Sequence, residues 1–88
     1  MQVAGWHVEI EFDEDGTHTR AAALLRLRDG TELRARGRAA RHPNDPAEPR
    51  IGEEVAGARA LADLAEQLLQ KAEEDIGTLT HRAAHLVS

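Results

Sequence analysis

Residues 20–41 read RAAALLRLRDGTELRARGRAAR, and the phase of this stretch decides the fold. Seven of the chain's eleven basic residues fall in it, although the protein as a whole is acidic. On both sides of Asp29-Gly30 the residues alternate with a period of two, the spacing that sends successive side chains to opposite faces of a strand. Arg34, Arg36 and Arg38 share one face, and Leu33, Ala35, Gly37 and Ala39 share the other. A two-residue Asp29-Gly30 turn would pair Leu27 with Glu32 and put the faces out of phase. A three-residue loop, Arg28-Asp29-Gly30 with Gly30 left-handed, instead pairs Leu25 with Leu33 and Ala23 with Ala35. The second arrangement is predicted. It places Thr19, Ala21, Ala23, Leu25 and Leu27 on the core side and brings Arg20 and Arg26 to the arginine face.

Toward the N-terminus, Trp6, Val8, Ile10 and Phe12 alternate with His7, Glu9 and Glu11, a half-buried strand with both aromatics expected on the core side. Asp13-Glu14-Asp15-Gly16 reads as the turn that follows. It pairs Ile10 with Thr19 and Val8 with Ala21 and keeps both apolar sets on one side. Three antiparallel strands result, at about 5–12, 17–28 and 31–40.

Toward the C-terminus, residues 41–50 contain all three prolines and form an irregular crossover. One helix follows, expected over about 52–76. Ile51, Val55, Ala58, Ala62, Ala65, Leu69, Ala72 and Ile76 recur at spacings of four and three, and the small residues among them predict close approach of this stripe to the sheet. Leu61, Leu64 and Leu68 form a second stripe beside it. Together the two stripes are wider than one packing partner requires, so the second is expected to meet the tail or another copy of the chain, and a dimer interface is assigned to these leucines, the tail, or both. Gly77 is expected to stop the helix and leave 77–88 as a tail. The fold class is α+β, a three-stranded antiparallel meander packed on one long C-terminal helix within a single domain spanning 1–88.

Composition narrows the functional classes. The interior is lean in a chain of 88 residues, with Trp6 and Phe12 the only aromatics. Small, alanine-rich domains commonly gain stability by association, so a homodimer is expected. Cysteine is absent, which excludes disulfides and thiolate metal sites and fits a reducing compartment. No apolar run approaches membrane-spanning length, and the first residues lack the charged and apolar regions of a secretory signal. The cytoplasm is the expected location. A formal net charge of −5 opposes nonspecific binding of nucleic acid. Acidic clusters at 9–15 and 48–75 flank the basic block, an arrangement suited to steering one specific partner.

At this point the residues suggest a family. Trp6-His7-Val8-Glu9-Ile10 with Asp13-Glu14, then Thr19-Arg20-Ala21 and Arg28-Asp29-Gly30-Thr31-Glu32-Leu33, resemble the first half of a small actinobacterial family of unknown function. Asn44-Asp45-Pro46, Ile51-Gly52-Glu53-Glu54 and Ala58-Arg59-Ala60-Leu61-Ala62-Asp63-Leu64 continue the likeness, and Asp75-Ile76 and Thr80-His81 complete it. The resemblance implies a fold like the double-stranded-RNA-binding domain without its first helix. It also implies a homodimer, similarity of some members to ribosome hibernation factors, and a link to stress or dormancy. It brings no catalytic or binding residues.

Three chemistries compete. Arg20, Arg26, Arg34, Arg36 and Arg38 on a rigid platform suit phosphate contacts to ribosome or structured RNA, which is recognised by shape. The strands present no aromatic for base stacking, which excludes a single-strand reader. Arg20 and Arg38 are cross-strand neighbours in this register, a mild like-charge cost that favours a binding role. The alternative is a homodimeric protein–protein interaction module that binds no nucleic acid. A third reading places a metal at His81 and His85, four residues apart, but no third ligand lies nearby and a zinc site wants more. Paired carboxylates sit on exposed faces or at the helix start, Ser88 is the only serine, and no phosphate loop appears. No enzyme activity, cofactor or small-molecule substrate is expected.

Overall fold

The structure, a computed structural model, describes residues 3–42, 44 and 48–87, with side chains up to residue 82. It comprises β1 (Val8–Glu14), β2 (His18–Arg26), β3 (Glu32–Ala40) and α1 (Pro49–Val87). The strands form one antiparallel sheet in the order β1-β2-β3. This is the architecture expected from the sequence.

The β2–β3 register is the predicted one. Leu25 pairs with Leu33, Ala23 with Ala35 and Arg20 with Arg38. Leu27 and Thr31 close the three-residue loop, and Gly30 takes a φ of 90° that only glycine adopts freely. The β1–β2 register differs. Ile10 pairs with Ala23 and Phe12 with Ala21, four residues along from the expected partners. The turn is Gly16-Thr17, closed by Asp15 and His18, with Gly16 at φ 91° in the first central position of a tight hairpin. A slip by an even number keeps every side chain on its original face, so hydrophobic phase alone could not distinguish the two registers. It also sets His18 beside Asp15, 3.7 Å from its carboxylate.

The core is almost entirely alanine. Ala21, Ala23, Leu25, Ala35 and Ala39 from the sheet meet Ala56, Ala60 and Leu64 from the helix. At Gly37 the two layers touch most closely: a methyl group there would strike the backbone of Ala56 and Ala60 and lie 2.9 Å from Arg59 Cβ. This contact overturns the expected helix face. The stripe through Ile51, Val55, Leu69 and Ile76 is not the face buried against the sheet; all four residues are exposed. The surface of alanines and one glycine accepts only the slimmest face of the helix, which is the alanine face ending in Leu64. Leu64 is therefore core at 3% exposure, and Leu68 packs against that core. Of the leucines assigned to a dimer interface, Leu61 alone is exposed.

The helix packs chiefly on β3, less on β2, and barely reaches β1. Neither aromatic is enclosed in consequence: Trp6 is 58% and Phe12 43% exposed. The helix starts at Pro49, a residue whose fixed φ and missing N–H suit a first turn. It also runs through Gly77 to Val87, so residues 77–87 are helical rather than a separate tail. One interior glycine costs about 1 kcal/mol relative to alanine, too little by itself to break a long helix. At 1.5 Å per residue, 39 residues make a rod of about 58 Å, whereas nine-residue strands span about 30 Å. The C-terminal part of α1 accordingly overhangs the sheet, and the molecule is 65 Å along its longest axis.

Candidate functional site

The predicted arginines do gather on one surface, the outer face of the sheet. Outward residues stand there in three columns. Glu9, Glu11 and Asp13 come from β1; Arg20, Ala22, Leu24 and Arg26 from β2; Glu32, Arg34, Arg36 and Arg38 from β3. The column of β1 is acidic and that of β3 mostly basic. Ala22 is short, so shallow clefts of about 300 and 270 Å³ lie between the two, with carboxylates on one wall and guanidinium groups on the other.

Three of the five arginines are paired with carboxylates of this same chain. Arg26 grips Glu32 through two nitrogens at 2.7 and 3.2 Å, and Arg34 reaches the other oxygen of Glu32 at 3.1 Å. These hydrogen bonds, that of Arg26 first, hold the Glu32 carboxyl below its ordinary range. Arg20 lies 3.4 Å from both Asp13 and Asp15. Asp15 is itself held low, mainly by the backbone N–H of His18. Arg36 and Arg38 form no ion pair with any described residue. The two arginines without a carboxylate partner are thus neighbours on β3, and one further positive charge remains where Arg26 and Arg34 share Glu32.

A second feature escaped the sequence reading. β3 is an edge strand, and Arg59, Asp63, Gln67 and Lys71, spaced four apart on α1, reach around it. Arg59 donates to the Arg38 carbonyl at 2.6 Å and Gln67 to the Arg34 carbonyl at 2.8 Å. The Arg36 N–H donates to Asp63 at 3.4 Å. An open strand edge invites pairing with other chains, and this polar ladder covers it. The signal was present as polar residues at i, i+4 and i+8 beside the alanine face.

A third region is a cleft of about 400 Å³ where the β1–β2 turn meets the start of α1. Thr19, Ala39, Ile51, Gly52, Val55 and Arg59 are among its walls. Thr19 is the one buried polar side chain there among the described residues, and its hydroxyl donates to Glu14 at 3.4 Å. Among the described residues no group of three or more histidines and carboxylates could hold a metal. His81 is exposed on the overhang, and the His85 side chain lies outside the described residues. Among the described residues, no helix is long and apolar enough to cross a membrane.

Known proteins resemble this arrangement along nearly its full length. An uncharacterized protein of Mycobacterium bovis, Mb1767, is 43% identical over 82 residues, covering 93% of this chain and 86% of its own. The uncharacterized protein Rv2632c of Mycobacterium tuberculosis is 37% identical over 75 residues, covering 85% and 80%. The crystal structure of Rv2632c superposes with a TM-score of 0.83 at 34% identity, covering 92% of this chain and 95% of that one. Three antiparallel strands and one long C-terminal helix are therefore a shared fold. With residues 4–85 matching the family's model, the chain belongs to the Rv2632c-like family of uncharacterised proteins.

Proposed function

We propose that this chain is a non-catalytic protein–protein interaction module that works as a homodimer. The observation that carries this reading is the outward face of α1. Ile51, Val55, Ala58, Ala62, Ala65, Leu69, Ala72, Ile76 and Leu79 follow one another at spacings of four and three, and every one is exposed. A lean core, two exposed aromatics and an apolar stripe along a 39-residue helix together form the surface of a protein awaiting a partner. The outer sheet face, acidic along β1 and basic along β3, remains free to meet a protein surface of mixed charge. Light scattering tests the assembly: a dimer is expected at micromolar concentration, and Leu69→Glu with Ile76→Glu should yield a helical monomer. A monomeric parent protein at tens of micromolar would end this reading.

A second reading keeps Arg36 and Arg38 as phosphate contacts to ribosome or structured RNA, in line with the dormancy link that the family resemblance implies. Its specific support is that these two guanidinium groups have no carboxylate partner among the described residues. Against it stands the acidic wall of Glu9 and Glu11 across the same clefts. Co-sedimentation with ribosomes at low salt decides it.

A further inference from the structure

We infer that two copies pair their α1 helices antiparallel along this outward stripe, the overhanging end of each helix lying across the first half of the other; the inference rests on the homodimer reading above. Spacings that alternate strictly between four and three have a mean of 3.5 residues. That is the period of a left-handed two-helix seam and not of a helix resting on a sheet. The stripe lies opposite the alanine face, so each sheet sits behind its own helix and neither obstructs the approach.

Side-chain sizes select the orientation. In a parallel pair every stripe residue meets its own copy. Ala58, Ala62 and Ala65 would then make three thin layers, followed by thick ones at Leu69, Ile76 and Leu79, and one helix separation cannot suit both. Antiparallel, with Ala65 against the partner's Leu69, the register gives Ala62 with the partner's Ala72, Ala58 with the partner's Ile76, and Val55 with the partner's Leu79. Small meets large in two of these four layers, Ala65 with Leu69 and Ala58 with Ile76, which breaks up the run of three thin layers that a parallel pair would make.

Flanking charges agree. In this register Arg59 stands beside the partner's Glu73 and Glu54 beside the partner's Arg82, and each pair occurs twice by symmetry. One repulsion remains, Glu66 against the partner's Glu66, next to an apolar contact of Leu68 with the partner's Leu68. A parallel pair would keep Glu54 near the partner's Arg59 but would crowd Glu73, Glu74 and Asp75 of both copies together. The overhang also gains a purpose. Beyond Lys71 the helix has no sheet of its own beneath it, yet in this pairing Leu79 reaches the partner's Val55 at the mouth of the 400 Å³ cleft.

The parent chain contains no cysteine, so introduced thiols report geometry directly. Val55→Cys and Leu79→Cys variants are mixed, allowed to exchange and oxidised. The mixed disulfide is the expected main product, with little cross-linking of either variant alone. Efficient cross-linking of each variant with itself would establish parallel pairing and overturn the proposal. A dimer by light scattering in which neither combination cross-links, as when two β1 edges join, overturns it too while leaving the homodimer reading intact. A monomer removes both. Two exposed substitutions refine the register. Arg82→Glu should weaken the dimer about three- to tenfold, the scale of two exposed charge pairs, with recovery on adding Glu54→Arg. Glu66→Gln should tighten it, whereas in a parallel pair Glu66 would face the partner's Leu61 and the change would do nothing.

Discussion

Lys71 Nζ lies 2.7 Å from Asp29 and 2.6 Å from Asp75, so one ammonium group ties the helix to the β2–β3 loop just before the overhang begins. The hydrogen bond from Lys71, followed by that from the Thr31 backbone N–H, holds the Asp29 carboxyl well below its ordinary 3.8. Asp29 in turn, with Asp75, raises Lys71 above 10.5. Both shifts favour the folded state between these limits. The carboxylate's contribution is complete above pH 3.8 and is lost as pH falls through the lower folded value. The ammonium's contribution is complete below pH 10.5 and is lost as pH rises through the higher folded value. Lys71→Met should therefore lower Tm at pH 7, and the difference from the parent should shrink below pH 3.8. Asp29 is half-exposed and screened, so the loss should be smaller than for any core truncation. Thermal melts across pH provide the measurement.

Gly37 fixes how near the two layers come. Gly37→Ala adds a methyl group against the backbone of Ala56 and Ala60, where no side chain can yield. The helix must lift, loosening the contacts of Ala39 and Leu64 together. A destabilisation of about 1–3 kcal/mol or more is expected, readable as a lower urea midpoint. Gly77→Ala, with open space around it, should instead be neutral or stabilising.

Leu64 and Leu61 separate the two sides of the helix. Leu64→Ala empties the core beneath the helix and should cost about 2–5 kcal/mol. The loss should appear at every protein concentration. Leu61→Ala removes an exposed side chain and should change stability only where the dimer forms, so its effect should vanish on dilution. Equal, concentration-independent losses for both would show that Leu61 also belongs to the core.

Much of this fold was legible because a strand's period is short and its turns are marked by glycine. Leu25 with Leu33 followed from phase and from Gly30 alone. Ile10 with Ala23 did not, because a four-residue slip leaves the faces unchanged. The helix face was misread for a physical reason. Hydrophobic weight favoured Ile51, Val55 and Leu69 as core, but the space above Gly37 admits Ala56 and Ala60 and nothing larger. The arginine surface was legible as a placement. Its pairing with carboxylates was only half so: Arg26 with Glu32 follows from the β2–β3 register, whereas Arg20 with Asp13 required the β1–β2 slip.

Charge reversal at Arg36 and Arg38 tests what the unpaired arginines do. If RNA is the partner, binding should fall with salt at a slope of about two on logarithmic axes, one unit for each phosphate held. Arg36→Glu with Arg38→Glu should then abolish both binding and slope. Arg26→Gln, at a guanidinium already committed to Glu32, should matter far less. Unchanged co-sedimentation in the double variant would show that any ribosome contact lies elsewhere.

The polar ladder over β3 makes the last prediction. Asp63→Ala with Gln67→Ala leaves the Arg36 N–H and the Arg34 carbonyl on an open strand edge, beside the alternating pattern of residues 33–39. Both groups can turn to water, so the fold should survive with a modest loss of stability. What changes is the cost of pairing with another chain, because a free edge offers a row of donors and acceptors already in register. The double variant should aggregate faster on warming, with a rise in thioflavin fluorescence, while Arg36→Lys on the outer face should not. If the variant stays as soluble as the parent, Asp63 and Gln67 position the helix on the sheet and do nothing to guard its edge.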